Sequence, residues 1–219
     1  MSDYTIRKAT IDDIEFLADV VIAAEKGATD VLSYATLFGI SEDKAKEFIV
    51  SMFDEEIEGC EFSIESFLIV EHNNVPVASF GSWIEGFDGE APSKIIKSNL
   101  INFTFGKDCI ATLIANAGVV KEIITEREPM ALQFEYLYVS EEYRGKKLSD
   151  LLIKTHEENA LKIYPELKKA QVQLYKNNVN AIKVYEKNGF SVAAESKSNH
   201  PQVLDFLPCD EKYVMEKNY

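Results

Sequence analysis

Cysteine is scarce and scattered in this chain. Cys60, Cys109 and Cys209 are its three thiols, and none stands in CxxC spacing. That pattern points to the reduced thiols of a cytoplasm rather than to a disulfide framework or a zinc site. The three histidines, His72, His156 and His200, are as widely spread, so no metal is expected. No apolar run approaches the roughly 18 residues of a membrane helix, and the opening residues lack a signal-peptide pattern. Neither a membrane association nor secretion is expected. Base is the second shortage: 23 lysines and arginines face 37 acidic residues, a net charge of −14. A general nucleic-acid partner needs a broad basic face, and this composition argues against one. Such a charge serves solubility, or the attraction of a cationic substrate. Linker composition, internal repeats and low-complexity tracts are also missing, so the 219 residues read as one domain, 1–219.

What is present is periodic. Tyr4 to Ala9 reads as an opening strand, and Thr10 caps a helix with Asp12 and Asp13 in its first turn. Ile14, Leu17, Ala18 and Val21 form that helix's buried face. A second helix starts at Ser41, with Ala45, Phe48, Ile49, Met52 and Phe53 at helical spacing. The acidic run from Asp54 to Glu61 reads as a solvated helix end and loop. Phe67 to Glu71 and Val75 to Ile84 are two strands joined by His72-Asn73-Asn74, with Pro76 marking an edge or a bulge. The interval 86–129 is too long for a structureless loop and reads as a helical insertion, its longer helix traced by Ile110, Leu113, Ile114, Ala117, Val120 and Ile124. A short strand at Ala170 to Leu174, a helix from Asn178 to Asn188 stopped by Gly189, and strands at Ser191 to Lys197 and Lys212 to Lys217 complete the chain.

The organising stretch is Leu132 to Ile153. Leu132 to Val139 is a strand by its β-branched and aromatic content, and simple alternation places Gln133, Glu135, Leu137 and Val139 on one face. Arg144-Gly145-Lys146-Lys147 then leads into a helical stripe of Leu148, Leu151, Leu152 and Thr155. The first amides of a helix have no intrahelical acceptor, and the helix dipole favours negative charge there. In so acidic a chain, a basic island at this place predicts a phosphate-bearing ligand at Arg144 to Asp150.

Two motifs within this frame resemble the GNAT superfamily of acetyl-CoA-dependent N-acyltransferases. Val139-x4-Arg144-Gly145-Lys146-Lys147-Leu148-Ser149 is similar to the family's pyrophosphate loop, R/Q-x-x-G-x-G/A. Asn178-x2-Ala181-x3-Tyr185-x3-Gly189-Phe190 is similar to its later motif. The first motif departs from the pattern: Lys147 stands where the family prefers a glycine, and Ser149 at its second small position. A lysine there must point away from the ligand or carry its ammonium onto a phosphate.

The resemblance implies an α/β (α+β) fold: a mixed, mostly antiparallel sheet of six to seven strands flanked by helices, with a helical insertion between the third and fourth strands. It implies acetyl-CoA as co-substrate. The pantetheine would lie on free backbone at Leu137, Tyr138 and Val139, where fixed amides could polarise the thioester carbonyl. The pyrophosphate would rest on Gly145, Lys146, Lys147, Leu148, Ser149 and Asp150, beside Arg144. Asn178 would touch the pantetheine arm, and Tyr185 would stand at the thioester sulfur, hydrogen-bonding the departing thiolate.

An attacking amine must lose a proton, and a primary amine of pKa ~10.4 is almost wholly protonated at neutral pH. Glu135 is the candidate base, because it shares a face with Leu137 and Val139 and lies four residues before the end of the strand, with Glu85, Glu141 and Glu142 in reserve. Trp83, Tyr136 and Tyr138 read as core or sheet-face residues, the histidines as structural, and Cys109 as a buried thiol. The family's acceptor site maps to residues 27–40 and 198–210. The insertion would roof it, cover the sheet or make a subunit contact in a homodimer. The activity expected is transfer of acetyl from acetyl-CoA to a primary amine, on a small molecule or a peptide, by direct attack in a ternary complex. The alternatives are an inactive CoA-binding sensor and an acyltransferase for another acyl-CoA.

Overall fold

The computed structural model describes residues 4–55 and 57–219. Its strands are β1 (Tyr4–Lys8), β2 (Phe67–His72), β3 (Val75–Ile84), β4 (Leu132–Val139), β5 (Lys169–Tyr175), β6 (Ser191–Lys197) and β7 (Glu211–Asn218). They form one seven-stranded sheet in the order β1-β2-β3-β4-β5-β7-β6. All neighbours are antiparallel except β4 and β5 at the centre. The mixed, mostly antiparallel architecture expected from the sequence is the one observed.

Local chemistry explains several of the joints. Asn73 and Asn74 both take left-handed backbone, φ 53 and 62, as a two-residue hairpin turn of this hand requires. Beside it, Val70 faces Ala78 while Glu71 faces Pro76, so the register skips a residue. Pro76 therefore marks a bulge; β3 lies between β2 and β4, not at an edge. The Ser41 hydroxyl accepts from the Lys44 amide at 3.2 Å and starts α3 (Glu42–Asp54). The insertion holds two helices, α4 (Ser93–Thr104) and α5 (Gly106–Val120), the second ending a turn before Ile124. Gly106, the first residue of the second, is left-handed at φ 72, which is where the single apolar run breaks.

The two faces of the sheet bury separate cores. One is covered by α1 (Ile14–Lys26), α2 (Ser33–Thr36), α3 and the insertion. It contains Leu17, Val21, Ile49, Met52, Phe53 and Phe67. The other is covered by α6 (Leu148–Ile163) and α7 (Val179–Lys187) and contains Phe80, Phe134, Leu152, Ile153 and Phe190. Each such side chain, fully buried, contributes roughly 1.5–3 kcal/mol before the entropy of ordering it is counted. A short helix, α8 (Val203–Phe206), closes a third, small core with Val119, Ile123 and Leu207.

The decisive irregularity lies in β4. Gly81 faces Glu135 and Ser79 faces Tyr138, so Phe80 alone opposes both Tyr136 and Leu137. This is a bulge, and Tyr136 bears it with left-handed backbone at φ 59. The extra residue resets the alternation. Leu132 and Phe134 pack toward α6 together with Leu137 and Val139, whereas Tyr136 and Tyr138 pack toward α1 and α2. The expected single face of Gln133, Glu135, Leu137 and Val139 is thus corrected: Glu135 lies on the other side of the sheet from Leu137 and Val139. Period-two reasoning fails here because one inserted residue inverts every position beyond it.

Candidate active site

The loop before α6 gathers free backbone amides. A 3-10 turn at Glu141–Tyr143 is followed by Gly145 at φ 77 and Lys147 at φ 63, and α6 begins at Leu148. Among the described residues, none of the six successive amides from Gly145 to Asp150 finds a protein acceptor; hydrogen bonding resumes with Leu151 N–H to the Lys147 carbonyl at 3.1 Å. Consecutive free amides around left-handed residues at a helix start are a ready anion site. Lys147 occupies the left-handed position that glycine takes most easily, at a cost of roughly 1–2 kcal/mol for an L-residue. Lys146 lies 4.4 Å over the ring of Tyr143. Arg144 is 67% exposed; it reaches the Val139 carbonyl at 3.4 Å and stands 3.9 Å from the exposed carboxylate of Glu141. The Asp150 carboxylate instead binds Lys187 and, at 3.0 Å, Asn188, tying α6 to α7. Of Asp150, only the amide is left without a partner among the described residues.

Beyond this loop the sheet opens. β4 and β5 pair only over Leu132–Phe134 and Ala170–Val172, while β5 stays paired with β7 to its last residue. From Glu135 to Val139 the β5 side of β4 therefore has no strand beside it. Tyr185 of α7 lies on the α6 side, 3% exposed and packed among Phe80 and Phe190. Burial, with the charge of Glu135 added, raises its pKa, so it is a neutral hydrogen-bond donor at any working pH. Among the described residues its hydroxyl has no hydrogen-bond partner. Asn178 caps α7, its Oδ1 accepting from the Ala181 amide at 3.2 Å, and its Nδ2, beside Gly27, has no hydrogen-bond partner among the described residues.

On the opposite face, a cavity of about 990 Å³ reaches the opening. Its floor is a chain of buried charges. Lys97 meets Glu61 at 2.9 Å, Glu61 meets Arg127 at 3.2 Å, and Arg127 meets Glu135 at 3.0 Å. Arg127 also stacks on Trp83 at 4.9 Å. Burial opposes the charge on Glu61, but Arg127 and Lys97 outweigh it and hold that carboxyl well below the usual range. Glu135 moves the other way: burial raises its pKa by more than Arg127 lowers it, and Glu61 adds to the rise. Of the two carboxylates sharing one guanidinium, Glu135 keeps the basicity. Lys97, although burial disfavours its charge, is held charged by Glu61.

The structure brings Glu135 and the cavity together, and it draws in residues that sequence reasoning passed over. Glu61, expected in a solvated loop, is 1% exposed in the cavity floor; Glu56 of that run lies outside the described residues. Residues 27–40 contribute Ser33, Tyr34, Leu37 and Phe38, and residues 198–210 contribute Leu207. The insertion forms the roof, through Ile95, Ile101, Ile110, Leu113 and Ile114. Glu85 is no reserve base: it accepts from Trp83 Nε1 at 3.0 Å and from the Ser93 amide and hydroxyl at 2.9 and 2.7 Å, capping α4. Glu141 and Glu142 are exposed on the loop. Cys109 is half-buried; the fully buried thiol is Cys60, pushed up to about 12 by burial beside Glu61. No pattern in the sequence separates Glu61 or Arg127 from surface charge, because each is buried only by its partners.

His156 is structural. Its Nε2 lies 2.8 Å from the Phe80 carbonyl and its Nδ1 2.7 Å from Ser82 Oγ. The carbonyl can only accept, so Nε2 carries the proton and Nδ1 accepts from the serine. Burial pushes its pKa down to about 4. Below about pH 6.5 the unfolded chain takes up a proton that the folded one refuses. Stability from this residue is therefore complete above 6.5 and falls as pH drops to about 4, by about 1.4 kcal/mol per unit. Urea denaturation between pH 7 and pH 5 should show that slope, and His156→Asn should flatten it.

A central parallel pair that opens above a helix start with free amides is the architecture of the acyl-CoA N-acyltransferase fold. Residues 108–192 match the family model described as Acetyltransferase (GNAT) domain. An N-acetyltransferase from Staphylococcus aureus Mu50 superimposes with a TM-score of 0.65 at 14% identity, over 97% of this chain and 99% of its own. A PaiA N-acetyltransferase from Thermoplasma acidophilum in complex with coenzyme A gives 0.51 at 17% identity over 100% of both chains. An agmatine N-acetyltransferase mutant in apo form gives 0.59 at 14%, also over 100% of both. No curated protein sequence matches the chain. The GNAT domain match over residues 108–192 thus sits in a chain that shares the fold of these acetyltransferases from end to end.

Proposed function

We propose that the protein is a cytoplasmic N-acetyltransferase that transfers acetyl from acetyl-CoA to a primary amine in a ternary complex. The observation that carries this reading is the run of six unpartnered amides from Gly145 to Asp150, opening onto the gap between β4 and β5. The diphosphate of the coenzyme sits on those amides, with Arg144, Lys146 and Lys147 supplying positive charge. The pantetheine runs along the free edge of β4 from Val139 to Leu137, and Asn178 Nδ2 is free to meet it. The thioester then reaches the level of Tyr185, whose hydroxyl is unspent.

From the cavity side the amine attacks the carbonyl carbon. The C–N bond forms and the C–S bond breaks; the amine proton passes to Glu135, directly or through water, and Tyr185 donates a hydrogen bond to the leaving sulfur. Full proton transfer from a phenol to a thiolate would be uphill by roughly 2 kcal/mol even at ordinary pKa values. Burial makes Tyr185 a still weaker acid, so it stabilises the sulfur without ionising. Removing that hydrogen bond by Tyr185→Phe should lower kcat at least about tenfold, with coenzyme affinity nearly unchanged. A variant with normal turnover takes Tyr185 out of the chemistry. The reading as a whole is tested by calorimetry with coenzyme A and by thiol release from acetyl-CoA across a panel of amines. Absence of coenzyme uptake overturns it; uptake without amine-stimulated release leaves a coenzyme-binding sensor.

A further inference from the structure

The cavity floor carries unspent groups of both signs. Among the described residues, Glu61 Oε2 is buried without a hydrogen-bond partner, and so are Arg127 Nε and Thr125 Oγ1. Lys212, in register with Tyr175 across β5 and β7, lies one strand from the opening. It is half-buried in the cavity wall, 4.8 Å over the Tyr175 ring. Among the described residues it has no ion-pair partner, whereas Lys97, Lys176 and Lys197 are paired. Burial pushes its pKa down, opposed by the charges of Glu25 and Glu135. A cation held out of water without a counter-charge is costly, and a bound carboxylate would offset that cost. The roof above is aliphatic.

The net charge of the chain points toward a cationic substrate, but that charge belongs mostly to the surface. Within the cavity the lining acids Glu25, Glu61, Glu85, Glu126 and Glu135 face Lys94, Lys97, Arg127 and Lys212, a near balance. We propose that the acceptor is an amphoteric amine with an apolar body, such as an apolar amino acid. Its amino group lies at Glu61 and Glu135, its carboxylate at Lys212 and Arg127, and its side chain against the roof. This rests on the reading that the amine attacks from this cavity.

The test uses matched pairs that differ by the carboxylate: leucine with isopentylamine, and phenylalanine with phenethylamine. Each is titrated calorimetrically into protein first saturated with coenzyme A. The amino acid of each pair should bind at least about tenfold more tightly, the worth of one charge-assisted contact. Lys212→Met should abolish that preference while coenzyme uptake persists, and Lys212→Arg should keep it. Equal or tighter binding of the plain amines, failure of both members to bind, or a preference that survives Lys212→Met overturns the acceptor assignment and leaves the transferase reading standing. Failure of the first step, coenzyme uptake, overturns both.

Discussion

Glu135→Gln is expected to lower kcat by about a hundredfold while coenzyme A still binds. The size follows from the role: a positioned general base contributes roughly 10²–10⁴-fold. Glutamine keeps the shape and one acceptor for Arg127, so the floor of the cavity holds together. What is lost is a carboxylate whose pKa burial has raised, despite the guanidinium 3.0 Å away. Since only the ionised carboxylate accepts the proton, the wild-type rate should climb with pH through a midpoint above the ordinary carboxyl range of about 4.3. The variant should lack that limb and retain only the rise from deprotonation of the amine itself. A pH–rate profile unchanged by the substitution would move the base elsewhere in the cavity.

The same residue shows how much was legible in the sequence. The order of the elements could be read almost throughout, because each strand and helix shows its own period and its own stop, such as Gly189 at φ 91. The free-amide helix start at Gly145 to Asp150 could be read too, since it depends on a local run of backbone. In the sequence Glu135 qualifies as a base partly through a shared face with Leu137 and Val139, and the structure removes that premise. It reaches the cavity because the bulge at Tyr136 turns Leu137 and Val139 away toward α6. A bulge depends on pairing with a distant strand, here Phe80, and leaves no mark in local alternation. The acceptor side was harder still. Glu61, Lys97, Arg127 and Lys212 come from four separate segments, and a charge buried by its tertiary partners looks, in one dimension, like any charge on the surface.

Arg127→Leu carries the largest expected effect on stability, a loss of about 3–5 kcal/mol at neutral pH. Arg127 joins two carboxylates in a place where neither can be hydrated: Glu61 is 1% exposed, and Glu135 has a side-chain exposure of 18%. Leucine fills part of the volume and keeps an apolar surface for Trp83, so lost packing is a minor part of the cost. The greater part is the charge left behind, since breaking a buried pair strands its partner. Glu61 retains Lys97 at 2.9 Å, whereas Glu135 retains no ion-pair partner among the described residues. Its carboxyl should therefore rise further and protonate in the folded state before it does in the unfolded chain. The folded variant then binds more protons than the unfolded one, so its stability falls as pH rises through that interval. The deficit against wild type should accordingly shrink as pH is lowered from 7 toward 5. Adding Glu135→Gln to Arg127→Leu should recover a large part of the loss at pH 7, because it removes the stranded charge itself. Urea denaturation of the wild type, both single variants and the double variant measures each term. A loss below about 1 kcal/mol for Arg127→Leu, or no recovery in the double variant, would mean that water reaches this floor and that the chain of charges is a surface network.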